Sequence, residues 1–318
     1  MYFGRSPQIA SKNHLIYNNI MNIKGLLIVN AFLNTPQVED TYEMLLAGGR
    51  RAGFDMHLMT NADMFVDMGT GKAVSADGAG DWQDAAFILF WNKDVFLGRA
   101  LERMGYRLFN RSEAIEYCDN KALTYEMLEG ICRIPKTLKI PMTFDTIGYP
   151  DMSFEDHIAS ELGYPYVIKE CLGSYGGQVY LATDRDNARR ILKDIEGKDC
   201  IAQEYISTSC GRDLRAYVVG DRVVAAMIRR NANDFRSNIT AGGTAEKYDI
   251  TRDQEEMAVT AVKKLGLDFA GVDILLGVDD EPILCEVNSN AQFKGLLGAT
   301  GTDITEALFE HIRHGINV

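Results

Sequence analysis

Two strand-like stretches say most about this chain: Phe269-Ala-Gly-Val-Asp-Ile-Leu-Leu276 and Pro282-Ile-Leu-Cys-Glu-Val-Asn288. Residues i and i+2 of a strand point to the same face, so Glu286 and Asn288 are expected side by side. Asp273, on a neighbouring strand, can complete the set. Hard oxygen ligands without His or Cys suit Mg²⁺ or Mn²⁺ held jointly with substrate phosphates. The alternative is two amphipathic strands whose polar residues face water.

The composition is that of a globular protein with an acidic balance. The 318 residues are 46% hydrophobic and 25% charged, and the formal net charge is −12. No apolar run approaches the roughly 20 residues of a membrane span. The negative charge argues against a nucleic-acid binder or a membrane-surface protein, because both depend on Lys and Arg. The length allows two domains.

The six cysteines form no CxxC pair and no zinc spacing with the five histidines. This pattern predicts reduced thiols in a cytoplasmic protein. Cys285, directly before Glu286, is expected on the opposite face of its strand, in the packing and away from the metal. Residues 1–21 lack the apolar core of a signal peptide and are interpreted as an N-terminal arm or a tag.

Alternating strand and helix patterns divide the chain into blocks. Residues 22–112 predict a small open α/β sheet with crossover helices. No GxGxxG follows its first strand, so dinucleotide binding is not expected. Residues 113–318 form the second block. Its parts are one helical run at 113–129, a flap subdomain at about 135–206 and a metal-bearing subdomain at about 207–318.

A glycine loop, Gly173-Ser174-Tyr175-Gly176-Gly177, lies between two strand patterns. Its backbone N–H groups could approach an anion closely. Lys169 ends the preceding strand, and Lys121 lies at the start of a helical stretch upstream. Two lysines that frame a glycine flap would neutralise triphosphate charge. A hairpin turn without a ligand explains the glycines equally well.

Three further polar segments could take part in chemistry, although each also has an ordinary explanation. Glu204-Tyr205-Ile206 ends an alternating strand and could offer backbone groups to an adenine edge. Asp213 and Arg215 share one strand face and could simply pair with each other. Arg236 and Asn238 could donate to charge that develops in a transition state, or could be solvated.

Together these segments resemble the ATP-grasp superfamily, and within it the RimK-type carboxylate–amine ligases. The matching elements, in the family's order, are Lys121 in Asp-Asn-Lys, Lys169 with the glycine flap, Glu204-Tyr205-Ile206, Asp213-Leu-Arg215, Val218 to Met227, Phe235-Arg-Ser-Asn238, Ala270-Gly-Val-Asp-Ile-Leu275 and Glu286-Val-Asn288. They cover roughly residues 110–318. The resemblance implies an α/β protein of the α+β ATP-grasp type, with a small open preATP-grasp α/β domain followed by two α+β subdomains that clasp ATP.

The resemblance also implies a role for each matched residue. The nucleotide would be bound by Lys121, Lys169, the flap residues Gly173, Ser174, Tyr175, Gly176 and Gly177, the hinge residues Glu204, Tyr205 and Ile206, and by Asp213 and Ser237. Asp273, Glu286 and Asn288 would hold two Mg²⁺ or Mn²⁺ ions. Arg236 and Asn238 would act on the reacting phosphoryl group. The implied reaction is ATP-dependent amide formation through an acyl phosphate, with release of ADP and phosphate.

The segment after the second metal strand departs from many RimK-type ligases, which continue with Ser-Pro-Gly. Here it is Ser289-Asn290-Ala-Gln-Phe293-Lys294-Gly, which looks more like the LysX-type ligases of lysine and arginine biosynthesis. Glutamate is the default incoming amino acid, and the acceptor is a carboxylate on a small molecule, a peptide or a carrier protein. Arg215, Arg229 and Asn290 are the expected contacts of substrate carboxylates. The resemblance favours a dimer or a tetramer.

Two other functions fit the same motifs. An ATP-grasp phosphotransferase would end at a stable phosphate ester. A non-catalytic or regulatory module would bind ATP without turnover, as the synapsins resemble ATP-grasp enzymes while acting as binding proteins. The complete acidic set and both lysines favour the ligase. Replacing Asp273 by Asn or Glu286 by Gln is expected to abolish turnover and to leave the fold intact.

Overall fold

The computed structural model describes residues 23–76, 82–173, 176–239 and 242–316. The chain divides into two compact units. One contains the residues up to Glu113 together with the segment from Asp303, and the other runs from Ala114 to Thr302. The segment from Asp303, expected in the metal-bearing subdomain, therefore groups with the N-terminal residues. The predicted arm at 1–21 and the loop residues Ser174 and Tyr175 lie outside the described residues.

The first unit is built on a parallel sheet with the strand order β2-β1-β5-β6. Its elements are β1 (Lys24–Val29), α1 (Pro36–Arg51), β2 (Asp55–Thr60), β3 (Met64–Asp67), β4 (Lys72–Ser75), β5 (Phe87–Trp91), α2 (Val95–Arg103), β6 (Leu108–Phe109) and the terminal helix Ile304–Gly315. The terminal helix approaches α1 closely, because a Cβ atom at Gly48 would lie 2.5 Å from Thr305. The small open α/β sheet is confirmed, whereas the separate β3–β4 pair was not predicted.

The second unit contains two antiparallel sheets, with the orders β7-β10-β8-β9 and β13-β12-β11-β14-β15. Its strands are β7 (Thr137–Lys139), β8 (Tyr166–Glu170), β9 (Val179–Ala182), β10 (Cys200–Glu204), β11 (Arg212–Val219), β12 (Arg222–Arg230), β13 (Thr244–Lys247), β14 (Phe269–Leu276) and β15 (Pro282–Asn288). Its helices are α3 (Ser112–Asp119, which begins in the first unit), α4 (Lys121–Met127), α5 (Ser153–Leu162), α6 (Arg185–Asp194), α7 (Arg252–Lys264) and α8 (Lys294–Thr300).

The single helical run predicted at 113–129 is wrong, because two helices occupy it. α3 ends at Asp119, and Asn120 takes an extended conformation before α4 begins. The Asn120 side chain accepts hydrogen bonds from the backbone N–H groups of Ala122 and Leu123. An Asn side chain that satisfies these groups favours a helix start over a helix interior. Lys121 is consequently the first residue of α4.

Each sheet of the second unit has one apolar face. In the five-stranded sheet Leu214, Val272 and Leu284 are fully buried, and they belong to one core cluster with residues of α7. In the four-stranded sheet Tyr166 and Ile168 belong to a second cluster that includes residues of α5 and α6. Burial of such side chains contributes roughly 1.5–3 kcal/mol each. Because side chains alternate along a strand, the intervening residues point to the opposite, polar face of each sheet.

Candidate active site

Three neighbouring strands place charged side chains in one row across the polar face of the five-stranded sheet. Arg215 on β11 lies opposite Asp273 on β14, and Asp273 lies opposite Glu286 on β15. Asn288 follows two residues after Glu286 and shares its face. The three predicted oxygen ligands therefore lie together on two paired strands. We refer below to the side chains of Asp273 and Glu286, together with the Arg215 side chain that lies in line with them, as the acidic row.

A buried ion cluster joins this row to the next strand. The Arg215 guanidinium donates to Asp273 through Nε and Nη2, both at 2.6 Å. Arg229 on β12 donates to both oxygens of Asp213, at 2.7 and 2.5 Å, and its Nη2 lies 3.1 Å from Asp273 Oδ2. Asp213 and Arg215 share a strand face, but these bonds direct each to a charge on another strand, so the suggested pairing of the two is not found.

Opposite charges attract one another in this cluster, although burial, with a contribution from the neighbouring Asp273, raises the pKa of Asp213. Burial alone would raise the pKa of Asp273, but the attraction of Arg215 and Arg229 outweighs burial and lowers the pKa. Burial disfavours the Arg229 cation, yet Asp273 and Asp213 raise its pKa above the usual range. Asp273 and Arg229 are therefore both charged at neutral pH. Two of the three predicted substrate contacts, Arg215 and Arg229, lie in this cluster, with side chains only 14% and 4% exposed.

Lys169 reaches the same region from β8 of the other sheet. The residue is only 6% exposed, and its Nζ lies 3.8 Å from Cys285 Sγ. Burial opposes its charge, but Cys285, Tyr125 and Glu286 together raise the pKa of Lys169. The structure thus places a buried lysine cation beside one end of the acidic row.

The predicted position of Cys285 on the opposite strand face is wrong. Asp273 pairs with Glu286 while Ile274 pairs with Leu284, so Cys285 is the extra residue of a β-bulge. A bulge breaks the strict alternation of side chains and re-aims them locally. Tyr125 holds the bulge by donating its hydroxyl to the Cys285 carbonyl at 2.5 Å. The Cys285 thiol consequently lies next to Lys169.

The described part of the glycine loop is anchored at both ends. Lys121 Nζ donates to the Gly173 carbonyl at 3.3 Å, and Arg236 Nη1 donates to the Gly176 carbonyl at 2.7 Å. Gly176 has φ +74°, and a Cβ atom there would lie 3.0 Å from Asn238 Oδ1. The predicted lysine and both predicted catalytic residues therefore adjoin this loop. A Cβ atom at Gly177, the last glycine of the loop, would meet no neighbour within 4 Å among the described residues.

Asp234 is a functional candidate that sequence reasoning missed. Its carboxylate accepts from Arg236 Nε at 3.0 Å and from Nη2 at 2.8 Å, which fixes the guanidinium. The hydrogen bond that Arg236 donates to Asp234 raises the pKa of Arg236 and lowers the pKa of Asp234. The Asp-x-Arg spacing was the available signal. Ser237, only 4% exposed, hydrogen-bonds to Asp213 and links this segment to the ion cluster.

The predicted hinge follows the end of β10. The backbone N–H of Glu204 donates to the Lys136 carbonyl at 2.8 Å, so this group belongs to the sheet. Tyr205 and Ile206 lie beyond the strand, and the Tyr205 ring lies 6.3 Å from the ring of Phe235. Burial, with a hydrogen bond to Cys210, raises the pKa of Tyr205 to about 12. The hinge is therefore next to the segment that carries Arg236.

The donor set fits a hard divalent cation. Asp273 accepts three bonds from guanidinium groups, and a carboxylate has about four lone-pair sites. Glu286 adds a second carboxylate, and Asn288 adds an amide whose buried Nδ2 has no hydrogen-bond partner in the described ranges. In the described part of the chain no three residues among His, Cys, Asp and Glu form a metal cluster. The third predicted donor, the amide of Asn288, is not one of these four residue types.

Asn290, the remaining predicted substrate contact, lies just after β15. It is half-buried, and none of the described residues forms a hydrogen bond with its buried Oδ1. The structure places it two residues beyond Asn288 and outside the ion cluster that holds Arg215 and Arg229. The predicted substrate residues thus occupy two separate places along the site.

Comparisons with known proteins agree with this geometry. The model of the RimK-like ATP-grasp domain family matches residues 121–312. The probable alpha-L-glutamate ligase 1 of Shewanella denitrificans is 30% identical over 295 residues, which cover 89% of this chain and 96% of that protein. N-acetylaspartylglutamate synthase A of Homo sapiens is 33% identical over 215 residues, 67% of this chain and 54% of that protein.

A solved structure shows the likeness of the fold. The ATP-grasp ligase PsnB, complexed with a minimal precursor, has a TM-score of 0.67 at 17% identity, with 92% of this chain and 99% of that chain covered. The family match covers more than half of the chain, and the Shewanella relative spans most of it. The chain therefore belongs to the RimK-like ATP-grasp family and is an ATP-dependent carboxylate–amine ligase.

Proposed function

We propose that this ligase adds an amino acid, with glutamate as the first candidate, to a carboxylate acceptor through an acyl phosphate. The acceptor carboxylate attacks the γ-phosphorus of ATP and ADP leaves. The amine then attacks the acyl carbon, loses a proton and displaces phosphate. Glutamate occurs in the names of both relatives, the alpha-L-glutamate ligase and the N-acetylaspartylglutamate synthase, which supports this choice of amino acid.

The acidic row with Lys169 beside it is the observation that carries this proposal. Phosphoryl transfer to a carboxylate brings two anions together, and fixed cations in a site that excludes water reduce their repulsion. Lys169 and Lys121 are 6% and 7% exposed, respectively. We assign both to the ATP phosphates. Lys121 already contacts the loop that would cover those phosphates.

Asp273, Glu286 and Asn288 would hold two Mg²⁺ ions, or Mn²⁺ in their place. Ions bound there would neutralise phosphate oxygens and align the transferred group. The protein's own contribution is to fix the donors. Asp273 is held by two guanidinium groups, and Glu286 is held opposite it by the strand register.

The other predicted site residues are assigned roles in binding or in water exclusion. Closure of the glycine loop would exclude water that could hydrolyse an acyl phosphate. Asp234 would keep the Arg236 donors pointed at the phosphoryl group. We assign phosphoryl contacts to Arg236 and Asn238, phosphate covering to Gly173, Ser174, Tyr175, Gly176 and Gly177, the adenine side to Glu204, Tyr205 and Ile206, the ribose side to Asp213 and Ser237, and substrate carboxylates to Arg215, Arg229 and Asn290.

The proposed partners are an amino acid and a carboxylate acceptor. The acceptor carboxylate would be carried by a small molecule, a peptide or a carrier protein, and the enzyme would act in the cytoplasm as a dimer or a tetramer. None of the helices in the described ranges has the length and apolar character needed to cross a membrane. The net charge of −12 favours neither nucleic acid nor an anionic lipid surface as a partner.

An ADP-release screen over amino acids and carboxylate acceptors tests the proposal. We expect release of ADP and phosphate that needs Mg²⁺, an acid and an amine together, with an amide in the product by mass spectrometry. AMP with pyrophosphate would exclude this mechanism. A phosphorylated acceptor that stays stable and yields no amide would show a phosphotransferase instead.

Glu286→Gln is the variant that tests the site. It removes one charge from the acidic row while it keeps the shape of the side chain, and we expect turnover to fall by at least about 100-fold, the scale on which loss of electrostatic stabilisation acts. Glu256→Gln is the matched control, because Glu256 pairs with Arg252 on the exposed side of α7. Equal activity of the two variants would remove the metal assignment.

A further inference from the structure

Tyr217 carries a polar group that the reaction described so far does not use. The residue is completely buried on β11, and its hydroxyl has no hydrogen-bond partner among the residues that the structure describes. Burying a hydroxyl without a partner costs stability, whereas a phenylalanine of the same shape would avoid that cost. A buried hydroxyl that contributes nothing to the fold is therefore a candidate for contact with a ligand.

The register places Tyr217 on the polar face, next to the acidic row. Tyr217 lies two residues after Arg215 on β11, so both side chains share a face. Two residues of strand advance the chain by roughly 6.6 Å. The start of β11 lies near the hinge that holds Tyr205, because Gly211 donates its N–H to the carbonyl of Phe235. Tyr217 is therefore on the far side of the acidic row from the proposed adenine end.

The neighbouring positions bring a further polar group, from β15, onto the same face as the hydroxyl. Tyr217 lies opposite Gly271, and Gly271 lies opposite Asn288. Because Gly271 has no side chain, the residues after β15 can pack directly over β14 between these two positions. The chain after β15 folds back over this point, since a Cβ atom at Gly271 would lie 2.5 Å from Ala291 Cβ. The Phe293 ring packs edge-on against Tyr217, with centroids 6.3 Å apart.

Two further unsatisfied atoms lie along the same segment. Within the described part of the chain, Asn288 Nδ2 is a buried donor without a partner, and Asn290 Oδ1 is a buried acceptor without one. The positive charge of Arg215 acts on the Tyr217 hydroxyl: burial raises the pKa of Tyr217, and Arg215 opposes that rise. Donors grouped near a guanidinium favour a carboxylate ligand, and a nearby unpaired amide oxygen favours an ammonium group.

On the basis of the proposed ligase function, we propose that Tyr217 is a substrate-binding residue. Its hydroxyl, with Asn288 Nδ2 and the Asn290 side-chain NH₂ group, binds a carboxylate of the incoming amino acid, while Asn290 Oδ1 accepts from the ammonium group. The segment Asn290 to Phe293 then forms the wall of an amino-acid subsite. This subsite lies on the side of the acidic row away from the proposed adenine end, so it does not include the residues assigned to the nucleotide. Tyr217 thereby selects for a carboxylate-bearing substrate and takes no part in phosphoryl transfer.

Tyr217→Phe tests this assignment, with L-glutamate as the probe. We expect KM for glutamate to rise by about tenfold or more, as loss of a hydrogen bond to a charged group predicts, with kcat and KM for ATP within about threefold of the wild type. The melting temperature should stay the same or rise, because an unsatisfied hydroxyl is removed.

Tyr166→Phe is the matched control. Tyr166 is equally buried, but its hydroxyl donates to Glu155 Oε1 at 3.1 Å. That variant should lower the melting temperature and leave KM for glutamate unchanged. An unchanged KM for glutamate in Tyr217→Phe, or a rise confined to KM for ATP or for the acceptor, would overturn the assignment while the ligase function stands.

A binding measurement separates this proposal from the proposed function. With a non-hydrolysable ATP analogue and Mg²⁺ present, glutamate should raise the melting temperature of the wild type and of Tyr166→Phe, but not that of Tyr217→Phe. This pattern in a protein that forms no amide would support the subsite and contradict the ligase function. If the wild type ligates glutamate but glutamate raises the melting temperatures of the wild type and of Tyr217→Phe equally, the subsite assignment is wrong and the ligase function stands.

Discussion

At the scale of single residues, the charge of Asp273 is balanced by several close partners. It receives two bonds from Arg215 and one from Arg229, and both its neighbours on the row are charged. A buried carboxylate that is paired in this way is expensive to disturb, because its partners would remain charged without compensation. The expectation that Asp273→Asn leaves the fold intact therefore has to be revised.

We expect Asp273→Asn to lower the free energy of unfolding by about 3–5 kcal/mol at neutral pH, the cost of removing one partner of a buried ion pair. Because the folded pKa of Asp273 lies below its ordinary value of 3.8, this contribution is fully present above pH 3.8 and is lost as the pH falls through the lowered pKa. Urea unfolding of variant and wild type over a pH series measures both effects.

Asp156→Asn is the control for that series. Asp156 also faces two arginines, Arg185 and Arg189, but its side chain is 46% exposed. Exposed pairs contribute little, so its unfolding midpoint should hardly move. A midpoint for Asp273→Asn that matches that of Asp156→Asn would show that the buried cluster does not stabilise the protein.

At the scale of elements, Gly176 in the glycine loop combines a left-handed backbone conformation with a close neighbour. We expect Gly176→Ala to weaken apparent ATP affinity about tenfold, since a non-glycine residue in the left-handed region costs roughly 1–2 kcal/mol. The added Cβ would also press on Asn238. Gly298→Ala in α8 is the matched control, because a Cβ atom there would meet no neighbouring side chain within 4 Å among the described residues. KM for ATP in the ADP-release assay measures the difference. Equal values for both variants would exclude a role of this loop in nucleotide binding.

The strands could largely be predicted from the sequence, whereas the β-bulge and the break between two helices were not predicted. The alternation in Phe269–Leu276 and Pro282–Asn288 correctly predicted two strands with Asp273, Glu286 and Asn288 on one face. The bulge at Cys285 escaped prediction because it depends on how two strands pair. The partner of Asp213, which is Arg229 sixteen residues away, depends on the β11–β12 register for the same reason. Asn120 did carry a local signal, since Asn is a frequent helix cap.

At the scale of the whole molecule, all the described residues proposed for the site belong to the unit from Ala114 to Thr302. A ligand that binds only the folded state stabilises it by about 2.7 kcal/mol at a concentration 100 times its Kd. We expect a non-hydrolysable ATP analogue with Mg²⁺ to slow hydrogen exchange in β11, β14 and β15 most strongly. Exchange in β1 and β5 of the other unit serves as the internal reference.

Chelation of Mg²⁺ and the Glu286→Gln variant should both reduce this protection. Protection that persists in full under chelation would show that the nucleotide binds without the acidic row. Equal slowing in β1 and β5 would show that the response is not confined to the unit that contains the row.

The bulge in β15 has a consequence for comparing chains of different length. Leu284 faces the core and Glu286 the polar side, with Cys285 inserted between them. A homologous chain that lacked a counterpart of Cys285 would restore regular alternation without exchanging the two sides of the strand. A one-residue alignment gap at this point is thus compatible with an unchanged acidic row. The same gap two residues later would turn Asn288 toward the apolar interior.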